Sequence, residues 1–233
     1  MENCQQALII HRDVGDRTGE GRTLNSIGLV YSNQGLYDQA LENHQQALII
    51  AREVGDRAGE SATLNNIGLV YSNQGLYDQA LENHQQALVI CREVGDRAGK
   101  GTTLNNIGLV YHKQGLYDQA LENYQQALII HRDVGDRAVE GTTLNNIGGV
   151  YHNQGLYDHA LENYQQALII HRDVGDRAGE GTTLNNIGGV YSNQGLYDHA
   201  LENYQQALVI ARALGLRTLE EAVLSNIADL SDY

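Results

Sequence analysis

The stretch that decides the fold is TLNNIGLVYHKQGLYDQALENYQQALII, which runs from Thr103 to Ile130. Closely similar stretches begin at Thr23, Thr63, Thr143 and Thr183, so the pattern returns every 40 residues. A repeat of this length indicates a solenoid, in which each unit buries its apolar face against its neighbours. Asparagine and glycine are weak helix formers. Every copy nevertheless contains both, so helix propensity does not explain their presence.

Each repeat predicts two amphipathic helices. The first, helix A, is marked by apolar or small residues at helical spacing, namely Leu104, Ile107, Gly108 and Tyr111. The second, helix B, continues to about Val134 and is marked by Tyr117, Ala120, Leu121, Tyr124, Ala127 and Leu128. Gly115 separates the helices, Gly135 suits the left-handed residue after a helix, and Asp136 suits an N-cap. We therefore expect antiparallel hairpins, in which Gly108 and Ala120 allow a close approach.

The chain resembles the tetratricopeptide repeat (TPR) signature in the order of Leu104, Ile107, Gly108, Tyr111, Gly115, Tyr117, Ala120, Tyr124 and Ala127. It departs from that signature because no proline ends helix B, and because the unit exceeds the usual length of roughly 34 residues. The long unit, with GDRAGEG between repeats, is more similar to the repeats of the Pins/LGN cell-polarity adaptors and of kinesin light chains. The resemblance implies an all-α, right-handed superhelix of A/B hairpins, a fold that hosts many binding tasks.

The repeats assign residues 1–233 to a single solenoid. Residues 1–14 are expected to form a helix B without a helix A before it, and residues 215–233 a C-terminal capping helix. The complete repeats between them are 15–54, 55–94, 95–134, 135–174 and 175–214. In the last helix Ala228 replaces the usual glycine, Ser231 replaces the tyrosine and Asp229 adds charge, which suits a polar cap.

A helical wheel places a second stripe on helix A, opposite the buried one. In the third repeat this stripe consists of Thr102, Asn106, Leu109 and Lys113. The equivalent residues in the other copies are Arg22, Ser26, Leu29 and Asn33; Ala62, Asn66, Leu69 and Asn73; Thr142, Asn146, Gly149 and Asn153; Thr182, Asn186, Gly189 and Asn193; and Ala222, Asn226 and Asp229. In TPR solenoids the A helices line the concave surface, so the resemblance implies that the stripe lines a groove.

The second asparagine of each pair is the candidate peptide contact, because a carboxamide offers a donor and an acceptor to an extended backbone. These residues are Asn66, Asn106, Asn146 and Asn186, with Asn226 in the last helix, and the side contacts are Asn73, Lys113, Asn153 and Asn193. Similar asparagine ladders occur in the grooves of kinesin light chains and Pins/LGN adaptors, which bind extended segments of partner proteins. The first asparagines (Asn65, Asn105, Asn145 and Asn185) are expected to bond within or between repeats. Alternatively, duplication alone preserved the asparagines as solvated polar residues.

Two glycines of the stripe, Gly149 and Gly189, stand where other copies carry Leu29, Leu69 and Leu109. This difference predicts a more apolar N-terminal half of the groove and a deeper C-terminal half. Either selection for a pocket or sequence drift would explain the two glycines.

Composition limits the partners. Asp and Glu number 29 against 15 Lys and Arg, giving a formal net charge of −14. An acidic surface disfavours nucleic acid and anionic membranes, and apolar runs such as Ala127 to Ile130 are too short to span a bilayer. Cys4 and Cys91 lie about two repeats apart, too far for a disulfide. We therefore expect a protein or peptide partner and a cytoplasmic location.

Two patterns suggest phosphate or metal binding, but their spacing does not fit either kind of site. VGDRAGKGTT, from Val94 to Thr103, has the wrong glycine spacing for a phosphate loop and follows no strand, so it is interpreted as an inter-repeat turn. The recurring histidines are too far apart to share a metal and are interpreted as surface or groove residues: His44 and His84, His112 and His152, His131 and His171, His159 and His199. We predict neither an enzyme nor a cofactor, because no catalytic arrangement stands out.

Arginines also recur in the turns, at Arg17, Arg57, Arg97, Arg137, Arg177 and Arg217, beside an aspartate in all but the last copy. We expect a structural ion pair across the turn. The alternative is a basic rim that steers an acidic peptide.

These observations favour a non-catalytic TPR scaffold that binds an extended segment of a partner protein. A second hypothesis is self-assembly, in which the unpaired helices at the two ends of different copies meet and form rings or filaments. A third is that the chain is a fragment, or an engineered concatemer, of a larger signalling protein.

Overall fold

The computed structural model describes residues 2–230, which are helical apart from short turns, with no strand among them. The all-α prediction is thus confirmed. The helices are α1 (Glu2–Asp13), α2 (Arg17–Asn33), α3 (Tyr37–Val54), α4 (Arg57–Asn73), α5 (Tyr77–Val94), α6 (Arg97–Lys113), α7 (Tyr117–Val134), α8 (Arg137–Asn153), α9 (Tyr157–Asp173), α10 (Arg177–Asn193), α11 (Tyr197–Leu214) and α12 (Arg217–Leu230).

The helices group into two compact units, which we call the first unit (residues 1–116) and the second unit (residues 117–233). The first contains α1 to α6 and the second α7 to α12, and within each unit consecutive helices pack against one another. Each even-numbered helix is a helix A and each odd-numbered helix a helix B. Met1 and Ser231, which the sequence assigns to the two terminal helices, lie outside the described residues.

The turns form as the sequence predicts. Gly115 has a φ of 75°, in the left-handed region, and the Leu116 N–H donates to the Tyr111 carbonyl at 2.9 Å. At the other turn, the Asp136 carboxylate accepts the backbone N–H of Val139 at 3.2 Å and caps α8. These bonds satisfy backbone groups that a helix end leaves unpaired, which fixes where each helix stops and starts.

One boundary prediction is wrong. Residues 97–103, interpreted from the sequence as part of an inter-repeat turn, are the first turns of α6. The Asp96 carboxylate accepts the Gly99 N–H at 2.8 Å, so the helix begins directly after this cap. Glycines at 99 and 101 do not prevent the helix, because packing outweighs their weak propensity.

The core is assembled from small clusters that each join neighbouring helices. In the first unit, Leu64 of α4 packs with Ala87 and Ile90 of α5. The second unit repeats this arrangement between α8 and α9, where the equivalent residues two repeats further along the chain are Leu144, Ala167 and Ile170. The predicted apolar stripes of both helices are therefore buried, as a solenoid requires.

The repeated glycine of helix A marks a close approach to helix B, as predicted. A Cβ on Gly68 would lie 2.6 Å from the His84 ring, and a Cβ on Gly188 would lie 2.6 Å from the Tyr204 ring. Only glycine leaves room for these rings. The ring of helix B is thus packed directly on the backbone of helix A.

The prediction that the histidines lie on the surface or in the groove is wrong for half of them. His44 and His84 are fully buried, because they occupy the ring position that tyrosine fills in later copies. His131 and His171 are also buried, at the junction between helix B and the next helix A. His159 and His199 are exposed, as predicted.

The turn arginines make the expected structural pairs, but with glutamate. Arg57 donates to the buried carboxylate of Glu60 and also to Glu93. Arg52 donates through Nε to the other Glu60 oxygen at 2.8 Å. We call this two-arginine grip on a buried glutamate the Glu clamp. It recurs at Glu20, Glu140 and Glu180, while Lys100 occupies the equivalent position in α6.

Candidate functional site

The predicted stripe lies on the A helices, which contact one another within each unit: α2, α4 and α6 in the first, α8, α10 and α12 in the second. At the two ends of the stripe the side chains are exposed, as at Thr142 and Asn153. In the middle they are half-buried, as at Asn146 and Gly149. The stripe is therefore accessible to a ligand along its length in each unit.

In the first unit the candidate Asn66 bridges two neighbouring A helices. Asn66 of α4 donates its side-chain N–H to the Oδ1 of Asn25 in α2 at 3.1 Å. The same oxygen lies 2.6 Å from Nδ1 of the buried His44, which therefore carries its proton there. Asn25, which occupies the place of the first asparagine of the later pairs, thus links its own repeat to the next one.

The second unit repeats the bridge twice. Asn186 donates to Asn145 Oδ1 at 3.1 Å, and Asn226 of the last helix donates to Asn185 Oδ1 at 2.9 Å. Thr183 adds a hydroxyl bond to Asn145 Oδ1 at 3.2 Å. The carboxamides are therefore linked from helix to helix, and their side chains are fixed before any ligand arrives.

One bridge of the first unit has a different partner. Asn65, which is buried, donates to the hydroxyl of Thr103 in α6 at 2.7 Å, and its Oδ1 lies 2.9 Å from Nδ1 of His84. Asn106, the stripe asparagine of α6, is half-buried like its equivalents. Thr103 and Thr183, each two residues before an asparagine pair, are linking residues that the sequence interpretation missed.

The bridges leave hydrogen-bonding capacity on the stripe. A carboxamide carries two N–H donors and one oxygen, and each bridge uses one N–H of Asn66, Asn186 or Asn226. The remaining N–H and the oxygen match the C=O and N–H of an extended peptide. Because the rotamers are already fixed, binding costs less side-chain entropy.

The side-contact residues cluster at the C-terminal end of the A helices. Lys113 Nζ lies 3.1 Å from Asn73 Oδ1 and 3.2 Å from the Ser72 hydroxyl, and partial burial lowers the pKa of Lys113. Asn193 Nδ2 lies 2.7 Å from Nε2 of His152. Asn153 is exposed at the equivalent place on α8. These groups link neighbouring A helices, as the ladder does.

The leucine and glycine positions of the stripe differ as the sequence suggests. Leu29 is exposed, and Leu69 and Leu109 are half-buried. A Cβ on Gly189 would meet only ordinary contacts, at 3.4 Å from His152 and 3.8 Å from the Tyr204 hydroxyl. The packing therefore does not demand glycine at 189, in contrast to 188.

The sequence interpretation also missed the buried glutamates, whose carboxylates each pair with two arginines. The signal for them was present, because Glu20, Glu60, Glu140, Glu180 and Glu220 recur at one position. The arginines hydrogen-bonded to Glu20, Glu60 and Glu140 lower the pKa of each carboxyl against the opposing effect of burial.

Residues 2–230 contain no group of three or more potential metal-ligating side chains, and none of their helices is long and apolar enough to span a membrane. Cys4 and Cys91 are free thiols, and Cys91 is buried with its sulfur 3.0 Å from the Ser61 hydroxyl.

Comparison with known proteins agrees with the geometry. A sequence profile described as tetratricopeptide repeat matches residues 20–93, 59–133 and 139–213. A search of curated protein sequences gives no match.

Three solved structures share the fold. BtubC (BKLC) from P. vanneervenii aligns with a TM-score of 0.75 and 20% identity, covering 92% of this chain and 90% of its own. The nearly identical TPR-like repeats assigned to a kinesin light chain of Podosopora anserina align at 0.62 and 16%, covering 82% and 95%. A Rap protein complexed with competence and sporulation factor aligns at 0.69 and 13%, covering 99% and 71%. The sequence profile and the packing of consecutive helices together show that the chain belongs to the tetratricopeptide-repeat family.

Proposed function

We propose that the chain is a protein-interaction scaffold that binds an extended segment of a partner along the A-helix stripe. The observation that carries this proposal is the chain of half-buried carboxamides, exemplified by Asn66 and Asn186, which neighbouring helices fix in place. Asn106, Asn146 and Asn226 occupy the equivalent positions. The second side-chain N–H and the oxygen of Asn66 and Asn186 recognise peptide backbone, so affinity depends on an extended conformation more than on side-chain sequence.

The family supports a binding role of this kind, since TPR repeats serve protein–protein interaction. One structural neighbour, the Rap protein, is complexed with competence and sporulation factor. For the present chain we propose a protein or peptide partner, no nucleic acid or membrane, no catalytic activity and no cofactor, in the cytoplasm. Its net charge of −14 favours a neutral or basic segment.

The exposed ends of the stripe provide the side contacts of this proposal. Asn73, Lys113, Asn153 and Asn193 lie where a bound segment's side chains emerge beside the ladder. Because Lys113 and Asn193 already contact neighbouring helices, they contribute less than the ladder itself.

A matched pair of variants tests the ladder. Peptides selected from a random library displayed against the chain serve as ligands. The ladder variant is N66A/N186A. The control variant is N83A/N203A, because Asn83 and Asn203 lie on helix B and donate only to carbonyls of their own helix at 2.8 Å.

We expect the ladder variant to bind the selected peptides about tenfold or more weakly, as loss of one or two backbone hydrogen bonds predicts. The control variant should bind as the original chain does. Circular dichroism verifies that both keep their helix content. Equal affinities for all the folded proteins would contradict the proposal.

Self-assembly is a second candidate, favoured by two exposed side chains. Ile10 of α1 is 59% exposed where its equivalent Ile50 is 4% exposed, and Leu224 of α12 is 41% exposed where Leu184 is 2% exposed. Placing α12 of one copy against α1 of another would restore the cluster seen at Leu64 and its equivalents. Light scattering over a concentration series tests this idea, and I10E should abolish any association. A monomer at high concentration excludes it.

A further inference from the structure

The junction between α3 and α4 contains a cavity of about 240 Å³. Its apolar wall includes Ala47, Ile50 and Ala51 of α3. Its other lining residues include Arg22 of α2 and Ala62 of α4, both of which are exposed and belong to the A-helix stripe. The cavity therefore opens on the candidate binding surface of the first unit.

Other junctions fill the same place with a side chain. The position of Ala51 is occupied elsewhere by His11, Cys91, His131, His171 and Ala211. Between α9 and α10 the filler is His171, whose ring would lie 3.1 Å from a Cβ on Gly141. Between α11 and α12, where Ala211 is small, Leu219 lies against Gly181 and would be 3.2 Å from a Cβ there. At the α3–α4 junction Gly21, Ala51 and Gly59 are all small, so nothing fills the space.

The filled junctions show which group fits. Nδ1 of His171 lies 2.9 Å from Oδ2 of Asp176, and Nδ1 of His11 lies 2.9 Å from Oδ2 of Asp16. In both junctions the second carboxylate oxygen caps the following helix at 2.9 Å. An imidazole ring beside an aspartate N-cap is therefore a motif that recurs among the described residues.

The empty junction retains the aspartate of this motif. Asp56 lines the cavity, and its Oδ1 caps Gly59 at 2.8 Å, as Asp176 caps Gly179. Its Oδ2 has only a distant ion pair, at 3.9 Å from Arg22. The carboxylate oxygen that lies 2.9 Å from a ring nitrogen in the two sister junctions is thus present beside an apolar space of sufficient volume.

We propose that the cavity at the α3–α4 junction binds an imidazole ring, with a ring N–H donated to Asp56 and the ring face packed on Ile50 and Ala51. The ring comes either from a free small imidazole or from a histidine side chain of the bound segment. The second source rests on the proposed function, because it makes the cavity a specificity pocket beside the asparagine ladder.

Titration with 4-methylimidazole, followed by NMR of the Ala47 and Ala51 methyl groups and the Gly59 amide, tests the cavity without any partner. We expect saturable shifts in the original chain and none in A51H, in which the sister residue fills the space. D56N keeps a good N-cap residue but loses the charged acceptor, so we expect binding about tenfold weaker. A51H is compatible with the fold because the α9–α10 junction already has this side chain.

H171A gives the complementary result. It should open a second cavity beside Asp176, and 4-methylimidazole should raise its thermal midpoint more than that of the original chain. Absence of saturable shifts in the original chain, or equal shifts in A51H, would overturn the proposal.

A blocked histidine, N-acetyl-histidine amide, distinguishes the two sources. Binding of this probe at the same methyl groups supports a partner histidine, whereas binding of 4-methylimidazole alone assigns the cavity to small free ligands. Because N66A/N186A changes neither Ala51 nor Asp56, failure of the ladder experiment and failure of the cavity experiment are separate outcomes.

Discussion

The two units solve the same packing problem with different rings. In the first unit the helix B ring is histidine, His44 or His84, and in the second it is tyrosine, as at Tyr164 and Tyr204. All four rings are buried against a glycine of helix A. The histidine rings place Nδ1 against the asparagine of their own repeat, at 2.6 Å in the case of His44. The position is thus defined by its shape, and the polarity of the ring is open to change.

This difference makes the ring position acid-sensitive in the first unit and not in the second. Burial lowers the pKa of His44 and of His84 to about 4. Nε2 of each ring is buried and has no hydrogen-bond partner, so a second proton would be placed in a dry site. The phenol of Tyr164 takes up no proton on acidification and is already neutral at neutral pH, and burial raises its pKa further.

The largest expected effect is a loss of stability of the first unit on acidification. The ring of each histidine binds its second proton near pH 6.5 in the unfolded chain and near pH 4 in the folded one. The free energy of unfolding is therefore highest above pH 6.5 and decreases as the pH falls towards 4. Each histidine contributes at most about 3 kcal/mol. Hydrogen exchange at pH 7 and pH 5 should show faster opening of α2 to α5 at the lower pH.

The double variant H44Y/H84Y is the control, since it introduces the ring of the second unit. It should reduce the loss between pH 7 and pH 5. The half-buried His112 and His152 also have a lowered pKa and remain in both proteins, one in each unit. An unchanged pH profile in H44Y/H84Y would refute the role of the buried rings.

Neighbouring glycines of the second unit should respond in opposite directions. G188A forces a Cβ to within 2.6 Å of Tyr204, and overpacking less the gain in helix propensity predicts a net loss of about 1–2 kcal/mol. G189A meets only ordinary contacts and should stabilise by about 0.5–1 kcal/mol. Denaturant unfolding measures both. G68A in the first unit should resemble G188A, and a stabilising G188A would contradict the close approach.

The smallest expected effect concerns the Glu clamp, which the second unit keeps and the first unit lacks in α6. Arg92 has no carboxylate partner among the described residues, whereas the equivalent Arg52 donates to Glu60. The substitution K100E would supply the missing carboxylate. We expect a gain of about 0.3–0.5 kcal/mol, or about 1–2 °C in thermal midpoint. The reverse change E180K should destabilise the second unit. A neutral result for both would show that the clamps do not contribute to stability.

Periodicity predicted most of the fold because it records which residues must meet at fixed spacing. The structure agrees with the pattern at single residues: Leu104 and Ile107 are buried, Gly135 has a left-handed backbone, and Asp136 caps α8. Their burial or turn conformation depends on neighbours within a helix or a turn, which a helical wheel represents.

The missed features depend on contacts between repeats. The bond from Asn66 to Asn25 joins two helices, and no wheel of one helix contains it. Glu60 was overlooked because a charge is usually solvated, whereas two arginines here offset the cost of its burial. His44 was misplaced for the same reason, although tyrosine at the equivalent positions of later copies signalled a packed ring.

Each unit has its own carboxamide bridge, and the two units differ in the stripe residue beside that bridge. This difference matters for peptide binding. Leu69 accompanies Asn66, and Gly189 accompanies Asn186. If backbone recognition dominates, a peptide should use both bridges despite this difference. If side-chain pockets dominate, it should favour one unit.

The most direct measurement is NMR of the asparagine side-chain amides with and without a selected extended peptide. We expect the Nδ2 signals of Asn66 and Asn186 to shift and to exchange more slowly with water in the complex, while those of Asn83 and Asn203 on helix B stay unchanged. Binding that leaves the first pair unperturbed, or perturbs the helix B pair instead, would contradict this expectation.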